Sequence, residues 1–221
     1  MTILKVEDLG VSIDGRKIFE NVNIRIDPNQ FITIMGENGV GKTTFVETLF
    51  GLRHFDQGSI QIWGQPVKNP KKNPLKFELI SKMQCVMATP EKYPSGITLA
   101  EFLSLMAKTF PDRWDRDLSQ YLVTSFKLEL EKNIDSLSLG EHSKIRLMKA
   151  LAFHPKLLVL DELAANLSPE SRQIVLSVLM DMFASSGNMA VLYTSHFIEE
   201  SLQLSDKIFD LRKDGLYERQ I

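Results

Sequence analysis

FITIMGENGVGKTTFVETLFGL, residues 31–52, contains the most informative pattern in the chain. An apolar, β-branched run over 31–35 predicts a buried strand, and a helix is predicted to end at Gly51. The glycine-rich turn between them matches G-x-x-x-x-G-K-[ST] from Gly36 to Thr43, the pattern of a phosphate-binding loop. The sequence therefore predicts a strand, a phosphate loop and a helix in succession.

The spacing of the loop has a chemical reason. Glycines let backbone N–H groups turn inward around a phosphate where a Cβ would obstruct them, and a helix beginning near Lys42 directs its positive end at the same phosphate. Lys42 can reach the β- and γ-phosphates, and the Thr43 hydroxyl can ligate Mg²⁺. The predicted nucleotide-binding residues are Gly36, Glu37, Asn38, Gly39, Val40, Gly41, Lys42, Thr43 and Thr44.

Composition excludes several classes of protein. The 221 residues are 43% hydrophobic and 24% charged, as expected of a globular protein. The net charge of -2 argues against a nucleic-acid partner held by bulk electrostatics. The single cysteine, Cys85, excludes an internal disulfide. We expect neither a signal peptide nor a membrane-spanning segment, because the chain has no apolar run of about twenty residues.

The order of predicted elements indicates an α/β fold with antiparallel β structure at the N-terminus. The elements up to residue 97 are strands over 3–13, 17–26, 31–35 and 58–62, an exposed lysine-rich loop over 67–74, a short helix over 75–81 and a strand over 83–87. A helical segment follows, beginning with the capping box Thr98-Leu99-Ala100-Glu101 and continuing with helices over 117–126 and from Ser138.

The α/β pattern then returns, with strands over 157–160, 190–193 and 207–211 and helices over 169–185 and 197–204. We predict one domain over 1–221. Its nucleotide-binding core comprises 1–97 and 154–221, and a helical subdomain over 98–153 is inserted between the two halves.

A second motif complements the phosphate loop. Four apolar residues lead into Asp161-Glu162, so both carboxylates are predicted at the carboxyl end of a buried strand. An aspartate there can hold Mg²⁺ through water, and the next carboxylate can polarise the attacking water. The alternative interpretation is a strand that ends in a solvated acidic turn. The presence of a phosphate loop in the same chain favours the functional interpretation.

The segment Leu137-Ser138-Leu139-Gly140-Glu141 lies between these motifs. The order of phosphate loop, Leu-Ser-x-Gly-Glu segment, strand with Asp-Glu and then a lone histidine resembles the ATP-binding subunits of ABC transporters. The resemblance covers essentially the whole chain. It implies the ABC ATPase fold, a P-loop NTPase core with an antiparallel β subdomain and an inserted helical subdomain, and it implies ATP and Mg²⁺ as cofactors.

The resemblance also implies roles within one chain. Lys42 would hold phosphate, and Thr43 and Asp161 would hold Mg²⁺. Glu162 would be the general base, and His196 would lie near the γ-phosphate.

Further roles would cross between two chains. Ser138 and Gly140 would contact the γ-phosphate of a nucleotide bound to a second ABC ATPase subunit, identical or not. A helix N-terminus with free N–H groups is a sound anion site. Each chain would then supply half of each active site, so catalysis would require a dimer.

The sequence departs from the family pattern at peripheral positions. They are Leu139 for the first signature glycine, Leu163 for a proline, Ser168 for an aspartate, Ile13 for the aromatic residue that stacks on adenine, and Ala88 or Thr89 for a glutamine. None of these changes removes Lys42, Asp161 or Glu162. We therefore expect intact core chemistry and weakened peripheral contacts.

The class of transporter is suggested by residues 114–130. Trp114-Asp115, a helix and then Phe126-Lys127-Leu128-Glu129-Leu130 look like the short ATP-binding subunits of bacterial type-two exporters, with the haem-exporter ATPase as a near alternative. We expect no regulatory domain after Ile221. The implied partner is an integral membrane subunit, and the implied location is cytoplasmic, peripheral on the inner face of the cell membrane. The alternatives are a soluble ABC ATPase without a transport role and a nucleotide-binding module that no longer hydrolyses ATP.

Overall fold

The computed structural model describes residues 2–67, the backbone of 85–88, and residues 93–220. The helix predicted over 75–81 and most of the lysine-rich loop lie outside the described residues, as does Thr89.

The described strands form two sheets. They are β1 Leu4–Ile13, β2 Arg16–Ile26, β3 Phe31–Met35, β4 Gln57–Ile62, β5 Gln65–Pro66, β6 Cys85–Ala88, β7 Leu157–Asp161, β8 Ala190–Ser195, β9 Lys207–Arg212 and β10 Gly215–Glu218. The first sheet is antiparallel and has the order β2-β1-β4-β5. The second has the order β10-β9-β3-β8-β7-β6, and all its pairs are parallel except the hairpin of β9 and β10.

Helices connect and cover the second sheet. They are α1 Lys42–Leu49, α2 Leu99–Thr109, α3 Arg116–Ser125, α4 Leu139–Leu151, α5 Pro169–Ser186 and α6 Ile198–Leu204, with a short 3-10 helix over Ile134–Ser136. α2, α3 and α4 lie between β6 and β7 in the chain, where the sequence predicts the helical segment. Each has a side-chain N-cap, from Thr98, Asp115 and Ser138 respectively.

The two faces of the parallel sheet bury different neighbours. In β8, Ala190 and Leu192 pack with the antiparallel sheet and α1, whereas Val191 and Tyr193 pack with the helices that follow β6. Because side chains alternate along a strand, a strand buried on both faces needs an apolar residue at nearly every position. The continuous apolar runs in the sequence reflect this burial.

Two strands were not predicted. β10 begins at Gly215, directly after the two-residue turn Lys213-Asp214, and the Asp-Gly dipeptide at 214–215 is a turn signal that could have revealed the hairpin. β5 has only two residues, too few for a periodic pattern. The expected cap after α1 is present, since Gly51 has φ 63° just beyond the helix.

Candidate nucleotide site

Three neighbouring parallel strands end at the same edge of the six-stranded sheet. Met35 in β3 lies opposite Ser195 in β8, and Thr194 lies opposite Asp161 in β7. The glycine-rich loop, the segment after Ser195 and the Asp-Glu pair therefore meet at this edge, the usual place for ligands in open α/β sheets.

The loop after β3 depends on glycines at two crowded positions. A Cβ on Gly36 would come within 2.7 Å of Val40 Cγ1. Gly41 has φ 116°, and a Cβ there would meet Ile18 Cγ2 at 2.6 Å. α1 begins at the next residue, Lys42, without a side-chain cap, so its first N–H groups are available to an anion.

Most of the other loop side chains face solvent. The exposed ones are Glu37, Asn38 and Thr43, and those of Val40 and Thr44 are half-buried. An exposed hydroxyl at Thr43 suits a role as a Mg²⁺ ligand, because Mg²⁺ prefers oxygen donors and keeps several waters.

Lys42 is the buried cation of the site. Its Nζ donates to the carbonyl oxygens of Gly36, at 2.9 Å, and Glu37, at 3.2 Å. The same nitrogen lies 3.1 Å from Glu162 Oε1, and the Lys42 side chain is only 3% exposed. Three oxygens therefore surround the ammonium, two as hydrogen-bond acceptors and the carboxylate oxygen as an ion-pair partner.

Thr194 joins the two carboxylate residues. Its hydroxyl donates to Asp161 Oδ1 at 2.7 Å and accepts from the backbone N–H of Glu162 at 3.0 Å. Asp161 is 5% exposed, and among the described residues its Oδ2 makes no hydrogen bond. That oxygen is available to a cation or its water. Sequence reasoning missed Thr194, because a threonine at a strand end carries no motif of its own.

Glu162 has an unusual backbone. Its φ is 47°, in the left-handed region that non-glycine residues rarely adopt. Such a conformation costs about 1–3 kcal/mol and persists where the surroundings enforce it. Here the Glu162 N–H is held by Thr194 and the carboxylate by Lys42, so both ends of the residue are fixed.

His196 follows β8 directly and is exposed. Its ring lies against the ring of Phe197, with centroids 4.0 Å apart and planes tilted by 36°. The histidine thus lies at the same sheet edge as the phosphate loop, as predicted, and its ring contacts that of Phe197.

Ser138 and Gly140 lie in the first turn of α4. The Ser138 hydroxyl donates to Glu141 Oε2 at 2.8 Å and accepts from the Glu141 N–H, forming a capping box. Burial opposes ionisation of Glu141, but hydrogen bonds from Lys132 and from Ser138 outweigh it and hold the pKa of that carboxyl at about 2. Among the described residues, no hydrogen bond joins Ser138 to Lys42 or Glu162. A Cβ on Gly140 would lie 3.0 Å from the Asn166 carbonyl oxygen, so this turn packs against the segment that follows Glu162.

Two of the departures from the family pattern have a structural role within the chain. Leu163 is fully buried in the core, and Ser168 is the N-cap of α5, accepting from the Ser171 N–H at 3.3 Å. Leu139 is 68% exposed and packs little within the chain.

Ile13, the predicted adenine-facing residue, ends β1 and is half-buried. The side chains of Ile18 and Phe19, from the antiparallel sheet, lie against Gly41 of the phosphate loop. Phe19 is fully buried and packs edge-on against Phe45 at 6.0 Å, so it is not free to stack on a base. Sequence reasoning did not identify Ile18, which carries no motif.

The profile of a protein family described as "ABC transporter" matches residues 19–165, from β2 to beyond Glu162. The chain belongs to the ABC transporter family. It is an ABC-type ATPase subunit, and the predicted fold class is confirmed.

The relatives of this ABC chain include ATP-binding proteins named for export and others named for import. It is 27% identical to the lipopolysaccharide export system ATP-binding protein LptB of Haemophilus influenzae, over 95% of this chain and 86% of the relative. It is 28% identical to the zinc import ATP-binding protein ZnuC of Halorhodospira halophila, over 95% of this chain and 74% of the relative.

A solved structure shows the same fold. The dimeric structure of a bacterial ABC transporter cassette superposes with a TM-score of 0.80 over 99% of this chain and 98% of the cassette, at 19% identity. In the part of this ABC chain that the structure describes, none of the helices has the length and apolar character needed to cross a membrane.

Proposed function

We propose that the chain is the ATP-hydrolysing subunit of an exporter, acting as a dimer on a separate integral membrane subunit. The observation that carries the proposal is the contact between Lys42 and Glu162 at the end of the phosphate loop. It joins a phosphate-binding cation to the side chain best placed to be a base, at the edge where parallel α/β sheets bind ligands.

The contacts suggest how nucleotide engages the site. Because three oxygens already surround the Lys42 ammonium, an arriving phosphate must compete with them for it. Glu162 is the acceptor that can leave, since its side chain is 35% exposed whereas the other two are backbone carbonyls of the loop. Release from Lys42 frees the carboxylate to accept a proton from the attacking water.

The chain offers residues suited to Mg²⁺. Thr43 presents an exposed hydroxyl, and Asp161 presents the carboxylate oxygen that Thr194 leaves free. Two protein oxygens together with phosphate oxygens and waters are the donor set that Mg²⁺ usually takes. Bound there, the ion would neutralise charge on the transferring phosphate.

The active site would be completed by a second subunit. Ser138 and Gly140 would face the nucleotide held by Lys42 of the partner, as the family resemblance implies. The cassette to which this chain is similar is dimeric, which supports the pairing of two subunits.

The division of the chain follows the placement of the helices. We assign 1–97 and 154–221 to the nucleotide-binding core and 98–153 to the helical subdomain, because α2, α3 and α4 lie between two strands of one parallel sheet. The membrane subunit would dock around residues 88–110, where the two parts join; residues 89–92 lie outside the described part of the chain.

Export and a location on the inner face of the cell membrane rest on the resemblance of residues 114–130 to short exporter subunits. Residues of that segment also stabilise the fold. Trp114 is buried, and Asp115 caps α3 by accepting from the Leu118 N–H at 2.8 Å.

The test is ATP hydrolysis by the purified protein with Mg²⁺. We expect Glu162→Gln to lower kcat by about 10²-fold or more, because general acid–base catalysis contributes about 10²–10⁴-fold. Binding of a fluorescent ATP analogue should persist. Glu7→Gln is the matched control, since it removes the same charge from an exposed ion pair with Lys5.

Turnover that survives Glu162→Gln would overturn the assigned base. Absence of turnover in the parent protein together with its membrane subunit would favour a non-hydrolysing module. Co-purification with soluble proteins and with no membrane subunit would favour an ABC ATPase without a transport role.

A further inference from the structure

Arg172, in the first turns of α5, contacts two segments that flank the proposed site. Its guanidinium NH2 group donates to the carbonyl oxygen of Ala164, two residues after Glu162, at 3.3 Å. The same guanidinium lies over the ring of Phe197, with its carbon 3.9 Å from the ring centroid. Arg172 therefore bridges the segment after β7 and the segment after β8.

Phe197 connects this bridge to the histidine. The guanidinium of Arg172 lies over the Phe197 ring, and the centroid of the His196 ring lies 4.0 Å from the centroid of the same ring. The backbone of Phe197 is fixed as well, because its N–H donates to Ser195 Oγ at 3.0 Å. The orientation of His196 thus depends on a ring that Arg172 supports.

A buried carboxylate holds Arg172 from the other side. Glu200 is 7% exposed, and its Oε1 lies 3.2 Å from Arg172 Nε, without the alignment of a hydrogen bond. Its Oε2 accepts from the Tyr193 hydroxyl at 3.0 Å. Burial raises the pKa of Glu200, against the opposing influence of Tyr193, Arg172 and His196.

The chemistry of this cluster requires arginine. A planar guanidinium can lie over a ring while one nitrogen donates to a carbonyl and another lies beside a carboxylate, whereas a lysine ammonium is a point charge that cannot make all three contacts. Neither Arg172 nor Glu200 belongs to the motifs described above, and neither contacts the phosphate loop through a hydrogen bond in the described residues. Their contacts towards the site run through Ala164 and Phe197, and Glu200 also interacts electrostatically with His196.

We propose that Arg172 is a positioning residue that fixes His196 and the segment after Glu162 relative to each other. The proposal rests on the ATPase function inferred above. It implies that the two sides of the γ-phosphate site keep their spacing because one side chain, itself anchored by Glu200, contacts both.

The first test is steady-state ATP hydrolysis by Arg172→Lys. We expect kcat to fall about tenfold while KM for ATP changes less than about twofold, because small misplacement costs mainly transition-state geometry. Arg219→Lys is the matched control: Arg219 also pairs with a carboxylate, that of Asp210, at 2.6 Å, and it lies beyond β10. Equal behaviour of the two variants would overturn the proposal.

The second test needs no turnover, so it separates this proposal from the proposed function. The chain has four histidines, and comparison with His196→Gln assigns the ring signals of His196 in an NMR spectrum. Arg172→Lys should shift or broaden those signals and leave those of His54 and His154 in place. Unchanged His196 signals would overturn the proposal even if the parent protein hydrolyses no ATP.

If Arg172→Lys fails to fold, a second variant tests the same bridge. Phe197→Leu keeps an apolar side chain and removes the ring between Arg172 and His196. It should give the same loss of kcat and the same change in the His196 signals. A folded Phe197→Leu variant with parental kcat and an unmoved His196 would refute the bridge.

Discussion

Single residues at the site are restrained by contacts that cannot be recognised from the sequence motifs. Glu162 is recognisable from the sequence because it follows an apolar strand. Its left-handed backbone and its ion pair with Lys42 depend on Thr194 and on the surrounding fold. The residues proposed to react could be singled out from the sequence because phosphate chemistry requires those residue types at that spacing. Their supports, Thr194, Arg172 and Ile18, could not, since their roles arise from contacts between distant segments.

Base recognition is tested by Ile13→Tyr. Stacking of a base on an aromatic ring contributes about 1–3 kcal/mol, and Ile13 has no ring. We expect the variant to bind ATP severalfold tighter with little change in kcat, because ground and transition states gain equally. The measurement is titration with a fluorescent ATP analogue.

Ser12→Tyr is the control for Ile13→Tyr. It adds the same ring to the neighbouring, exposed position of β1, whose side chain points to the other face of the strand. Phe19 cannot account for a negative result, because it is buried against Phe45. If Ile13→Tyr binds ATP no better than the parent, Ile13 does not face the base.

At the scale of elements, α4 begins with a charged capping box. Lys132 Nζ donates to Glu141 Oε1 at 2.8 Å, and this ion pair helps to hold the pKa of Glu141 at about 2, against an ordinary value of 4.5. A lowered pKa in the folded state stabilises the protein above pH 4.5, and this contribution is lost as pH falls from 4.5 towards 2.

Glu141→Gln tests this contribution. The amide keeps the reach of the cap but loses the charge, so we expect the free energy of unfolding to fall by about 1 kcal/mol near neutral pH, a modest figure because solvent screens the partly exposed pair. The difference from the parent should shrink as the pH is lowered below 4.5. Urea denaturation at several pH values measures it.

The matched control is Glu101→Gln in the capping box of α2. Glu101 bonds the Thr98 N–H at 2.8 Å, in the same geometry, and the described residues include no lysine or arginine paired with it. A loss of stability in Glu141→Gln that is independent of pH, or equal to that in Glu101→Gln, would show that the ion pair with Lys132 contributes nothing.

The elements themselves were largely predictable, and the exceptions have physical reasons. The capping box at Thr98, the helix start near Ser138 and the apolar runs of β3, β7 and β8 are local signals, so the structure confirms them. β10 pairs only with β9 at the edge of the sheet, and its half-exposed residues lack an apolar run. α3 begins at Arg116, one residue before the predicted start at Asp117, because Asp115 is the residue whose side chain caps it.

At the scale of the whole molecule, one chain supplies only part of the proposed site. Lys42, Asp161 and Glu162 are assembled within one chain, whereas Ser138 makes its described hydrogen bonds only within its own helix turn and Leu139 remains 68% exposed. A nucleotide between two chains could join these halves, because a helix N-terminus attracts the γ-phosphate of the opposite site.

Glu162→Gln should therefore trap a dimer in ATP. The amide keeps the shape of the side chain but cannot act as a base, so the nucleotide that joins the two chains is not consumed. Analytical ultracentrifugation with MgATP should show dimer for Glu162→Gln and monomer with MgADP, while the parent returns to monomer as it hydrolyses its ATP. A double variant that also carries Lys42→Ala is the control, since it removes the phosphate contact and should stay monomeric. If Glu162→Gln remains monomeric in MgATP at high protein concentration, although it binds the nucleotide, the two halves of the site do not meet across identical chains.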